Sequence, residues 1–79
     1  MTEEEALRHI TAAVQVAVSK DVAITIETDL VEEDILDSLD SMVFVLELQD
    51  AIGKEIPDID FVAEGLFKVR KLVPFVQAL

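Results

Sequence analysis

The sequence has no cysteine, no tryptophan and no tyrosine. Without cysteine there is no disulfide framework, no thiolate zinc site and no cysteine nucleophile. Four phenylalanines are the whole aromatic complement. That suits small helical packing better than sheet, whose strands favour aromatic residues. With two glycines and two prolines there is no flexible linker, repeat or low-complexity tract. The one histidine, His9, has no serine–acid partner in sight and reads as a surface residue. No run reaches the roughly 18 apolar residues of a membrane span. The opening MTEEEALRHI is acidic and lacks a basic leader before an apolar core, which argues against a signal peptide. The expectation is a cytoplasmic, non-catalytic protein of one domain, residues 1–79.

Against these absences stand many hydrophobic residues, 52% of the 79, enough for a compact core. A chain this short buries roughly 60% of its unfolded surface, and without metal or disulfide its stability is about 3–5 kcal/mol. Base is scarce as well. The formal net charge is −11, and its distribution is uneven. Residues 27–60 hold twelve acids and the lone base Lys54, whereas acids and bases elsewhere balance. Such a field repels nucleic acid and anionic membrane and attracts basic protein surfaces.

The pattern predicts an all-α protein, a four-helix bundle with a short third helix and a long loop between the first two. Thr2 and Glu5 read as a capping box, after which Leu7, Ile10, Val14 and Val18 recur at helical spacing to about residue 19. Val22–Glu27 alternates like a strand but has no partner strand, so it reads as extended loop. The connection over 20–37 should be pinned by Leu30, Ile35 and Leu36. A second helix spans Ser38–Ile52, capped by Asp37 or Ser38 and stopped by Gly53. A short third helix fits within Asp58–Glu64 with Asp58 as cap. A last helix covers about Val69–Ala78, where Pro74 predicts a kink or a late start. The core should take Leu7, Ile10, Val14, Leu30, Phe44, Leu48, Ile52, Leu72 and Phe75.

On the wheel of the second helix, Ser41, Phe44, Val45, Leu48 and Ile52 share a core arc of about 100°. Ser38, Leu39, Met42 and Leu46 lie on another arc, Val43 lies beyond it, and Asp40, Glu47 and Asp50 share the outer half. Leu39 is expected to pack partly on another helix. The rest reads as a docking surface, apolar at the centre and acidic at the rim. Ser38 lies on the exposed side and Ser41 points inward. On geometry alone, an ordinary helix cap would also account for Ser38.

Ile35-Leu36-Asp37-Ser38-Leu39-Asp40-Ser41-Met42, then Leu48, then Ile56-Pro57-Asp58, together closely resemble the acyl carrier protein family. Leu30 and the closing Gly65-Leu66-Phe67-Lys68-Val69 with Leu72-Val73 fit the same pattern, so the resemblance spans nearly the whole chain. It implies 4′-phosphopantetheine, donated by coenzyme A, attached to Ser38 within Asp37-Ser38-Leu39, with an acyl or aminoacyl group carried as a thioester. It also implies that Asp37 helps a phosphopantetheinyl transferase bind magnesium or a basic residue. The implied partners are that transferase and acyl-loading, acyl-transfer or condensing enzymes of fatty-acid, polyketide or other lipid biosynthesis. They would meet a monomer through Asp40, Met42, Val43, Leu46, Glu47 and Asp50. Where fatty-acid carriers usually have acids, this chain has Val43 and Gln49, which points to a specialised carrier with dedicated partners. D-alanyl, other aminoacyl or peptidyl carriers remain alternatives, although Asp37 argues mildly against the peptidyl class. An unmodified helical interaction module is the alternative of another class. The acids Asp29, Glu33, Asp34 and Asp37 lack the glycine and spacing of an EF-hand loop, so no metal site is expected.

Overall fold

Three helices, α1 (Glu3–Val18), α2 (Ser38–Ile52) and α3 (Val69–Gln77), form the computed structural model, which describes residues 1–79. α1 opens on the expected capping box: Glu5 N–H donates to Thr2 Oγ1 at 3.0 Å, and Thr2 N–H donates to Glu5 Oε1 at 2.9 Å. That backbone donation, followed by the Thr2 hydroxyl, holds the Glu5 carboxyl below its usual pKa. α1 buries Ala6, Ile10, Ala13 and Val14 and packs against both α2 and α3. It stops at Ser19, which adopts a left-handed φ of 57°.

α2 and α3 do not pack on each other. The space between them is filled from the connection after α2, where Ile56, Phe61, Leu66 and Phe67 are buried. The four phenylalanines form one chain of rings across this gap. Phe44 of α2 lies 6.5 Å from Phe67, Phe67 lies 5.5 Å from Phe61, and Phe61 meets Phe75 of α3 edge-on at 6.0 Å. Tilted and edge-to-face pairs at these separations are the arrangements aromatic rings favour.

The expected third helix is absent, so the bundle has three helices and not four. Residues 61–67 form successive turns, and their cap is Asp60 rather than Asp58. Asp60 Oδ1 accepts the N–H groups of Val62 and Ala63 at 3.0 and 3.1 Å. Gly65, at φ 68°, then reverses the chain, and Leu66 N–H returns to Phe61 O at 2.9 Å. A left-handed residue this soon after the cap ends the segment before regular helical bonding is established.

α3 runs through Pro74 with no late start. Pro74 has no N–H to give the Arg70 carbonyl, and its ring faces solvent. Of the expected core, Leu7, Ile52 and Phe75 are only half-buried, at the margin. A core this small does not enclose a full apolar stripe of each helix. The other six expected core residues are buried.

The long connection after α1 forms no strand; residues 21–25 are irregular, and residues 26–27 and 30–34 form turns. Leu30 and Leu36 are buried and Ile35 half-buried, as expected. It is stitched to the segment before α3 by a single antiparallel bridge between Asp29 and Lys68. Leu30 N–H donates to Phe67 O at 2.9 Å, and Val69 N–H donates to Thr28 O at 3.0 Å. Its acids help to order it. Asp29 Oδ1 accepts the N–H groups of Val31 and Glu32, and Glu33 Oε2 accepts that of Asp29. No helix is long and apolar enough to cross a membrane.

Candidate functional site

The start of α2 decides which serine is available. Asp37 is the N-cap, in extended conformation, and its Oδ1 accepts Asp40 N–H at 2.8 Å. Asp40 Oδ2 accepts Asp37 N–H in return at 3.4 Å. Ser38 is therefore the first helical residue and not the cap. It is exposed, and its hydroxyl makes no hydrogen bond within the chain. Ser41 is half-buried, and its hydroxyl donates to Asp37 O at 2.7 Å. The N–H groups of Ser38 and Leu39 have no acceptor in the chain. Two free amide donors at the positive end of a helix favour an anion beside Ser38.

Downstream on α2, Met42 and Leu46 are 68% and 62% exposed, and Val43 is 39% exposed. Leu39 is 73% exposed, so it does not pack on another helix as expected. It sits in the first turn, beyond the reach of α1 and α3. Asp50 is exposed, whereas Asp40 and Glu47 are half-buried. Asp40 is occupied by the cap, and Glu47 turns toward α1, where it borders a shallow groove with Ala12 and Val16.

One groove adjoins the exposed serine, and a second continues from it. The first, of 480 Å³, is bordered by Asp37, Ser38, Ser41, Val31, Val62 and Phe67. The other, of 460 Å³, runs between α2 and the turns after it, lined mainly by Met42, Val45, Leu46, Ile59, Phe61 and Val62. They share Ser41, Val62 and Phe67. Val31, Ile59, Phe61, Val62 and Phe67 were not singled out from sequence as site residues. The available signal was the apolar set Ile59, Phe61 and Val62 just after Pro57, in a stretch too short for a stable helix. Gln49 anchors this region, since its Oε1 accepts Ile56 N–H at 2.7 Å.

An exposed serine with a free hydroxyl, fixed at a helix start between an acidic cap and an apolar groove, meets the requirements for covalent attachment of an anionic arm. Residues 8–66 match the family model for the phosphopantetheine attachment site. The chain belongs to this family. Its prosthetic group is accordingly 4′-phosphopantetheine, and such domains are carriers rather than catalysts. Comparison with curated proteins and with solved structures gives no match.

Proposed function

We propose that this carrier holds an apolar acyl group for partner enzymes, with the phosphopantetheine arm on Ser38. The observation that carries this reading is the 460 Å³ groove that continues from the one at Ser38 through Ser41, Val62 and Phe67 and is lined by seven hydrophobic residues out of nine. An apolar tail gains free energy by leaving water for such a lining, roughly 0.8 kcal/mol per buried methylene. A charged aminoacyl group gains little there, which favours acyl over aminoacyl cargo.

In loading, the Ser38 oxygen bonds to the phosphorus that carries the pantetheine of coenzyme A. The pyrophosphate P–O bond breaks, the nucleotide leaves as a bisphosphate, and the hydroxyl proton passes to a base of the transferase. The free N–H groups of Ser38 and Leu39 would hold the resulting phosphodiester, which helix polarity would stabilise. Once attached, the arm supplies a thiol that holds the acyl group as a thioester. The acids of residues 27–60 steer basic partner surfaces, while Met42, Val43 and Leu46 form the apolar contact, with Asp50 at its rim. Val43 and Gln49 support a specialised pathway with dedicated partners.

Incubating the apo-protein with coenzyme A and a broad phosphopantetheinyl transferase, followed by intact mass, tests the attachment. One arm should add to the wild type and to Ser41→Ala, and none to Ser38→Ala. Mass gain that follows Ser41, or no gain at all, rejects the assignment. For the cargo, octanoyl- and alanyl-loaded forms should differ. The octanoyl form should shift the NMR signals of Val45, Leu46 and Val62 and raise the melting temperature, and the alanyl form should do neither.

A further inference from the structure

Residues 37–41, Asp-Ser-Leu-Asp-Ser, offer two possible helix caps one residue apart. With Asp37 as cap, the third helical residue is Asp40, whose carboxylate reaches back to Asp37 N–H. With Ser38 as cap, the corresponding residue would be Ser41, which has no carboxylate to return. In that second frame the Ser38 oxygen would accept a backbone N–H from the first turn, as capping serines do, and would turn away from solvent. The chain adopts the first frame. Both donors of Ser41 then go to the Asp37 carbonyl, at 2.9 Å from N–H and 2.7 Å from the hydroxyl, and the Ser38 hydroxyl is left free.

We propose that Asp40 is a positioning residue for loading. By closing the reciprocal cap with Asp37, it selects the helix frame in which Ser38 is the first helical residue and its hydroxyl is free to react. The proposal rests on the carrier reading of Ser38. It gives Asp40 a role distinct from a contact on the docking rim. It also gives the Asp37 carboxylate work inside the carrier, because its Oδ1 is already bound to Asp40 N–H.

Loading kinetics of apo wild type, Asp40→Ala, Asp40→Asn and Asp40→Glu with a broad transferase test it. Asparagine keeps an oxygen for Asp37 N–H without the charge, and glutamate is the usual return residue of a capping box. Loss of the return bond in Asp40→Ala should lower kcat about tenfold, the scale of a lost cap, with KM little changed because Met42 and Leu46 are untouched. The asparagine and glutamate variants should load close to the wild-type rate. Amide exchange at Asp40 and Ser41, read by NMR without any transferase, should quicken in Asp40→Ala and return toward wild type in the other two. Equal kcat in wild type and Asp40→Ala overturns the proposal. So does a rise in KM alone, or loss of loading in Asp40→Asn, since either outcome makes Asp40 a direct contact of the enzyme. Wild type that takes up no arm rejects the carrier reading itself, whereas loaded wild type with an indifferent Asp40→Ala rejects only the positioning role.

Discussion

Single residues at the helix starts carry most of what can be tested by titration. Glu5 is half-buried, and its carboxyl is held down by Thr2 backbone and hydroxyl hydrogen bonds, aided by the amino terminus and Arg8. A carboxyl whose folded pKa is depressed stabilises the fold above its unfolded pKa and loses that contribution as pH falls through the folded value. The first turn of α1 should therefore loosen on acidification below the ordinary carboxylate range. Glu5→Gln should flatten that part of the acid-unfolding curve, as followed by amide exchange at Ala6 and Leu7. An unchanged acid limb would show that the box contributes nothing at this end. Ser38 and Ser41 make the same point for function, because two identical side chains three residues apart differ only in what the cap has already claimed.

The helices themselves were largely legible in the sequence. Thr2 with Glu5, Asp37, and Gly53 are local signals that act within one turn, and each marks the boundary it implied. The segment after Pro57 was not legible as turns. The pattern points to Asp58 as the cap, and Asp60 takes that place instead, where Phe61 and Phe67 can join Phe44 to Phe75. That is a tertiary constraint which no local pattern carries. The exposure of Leu39 was misread for a similar reason: a wheel assigns angles and does not show where a neighbouring helix ends. Gly53 sits at φ 68° with open space around the site of a Cβ. Gly53→Ala should thus cost only the left-handed backbone strain, about 1–2 kcal/mol, with no packing loss. Urea unfolding should show a lower midpoint at unchanged slope, and a neutral result would mean that α2 can end elsewhere.

Across the whole molecule, charge and apolar surface divide the work of recognition. One exposed ion pair forms, Arg70 with Glu27 at 2.9 Å, and Lys54, the lone base amid the acids, donates to Leu79 O instead. Most of the acids of residues 27–60 therefore remain without an ion-pair partner and give the molecule a negative field. Attraction from such a field sets the on-rate and weakens as salt shortens the Debye length to about 8 Å at physiological ionic strength. It does not distinguish one basic partner from another. In the proposed docking mode, discrimination falls to Met42, Val43 and Leu46, which can be fully desolvated in a contact, where a few residues carry most of the binding energy. Val43 is apolar and 39% exposed, so a matching partner would present an apolar side chain to it rather than a base. Val43→Glu would place a carboxylate there without a counter-charge, and burying an unpaired charge is costly. The variant should bind the carrier's own acyl-handling partner about tenfold or more weakly, mainly through faster dissociation. It should also be accepted better by fatty-acid condensing enzymes whose surfaces offer a base at that point. Titrations of both partners against wild type and Val43→Glu at low and physiological salt check this. Unchanged affinity for the carrier's own partner, with no gain toward the fatty-acid enzymes, would make Val43 incidental and leave the acidic field alone to account for docking.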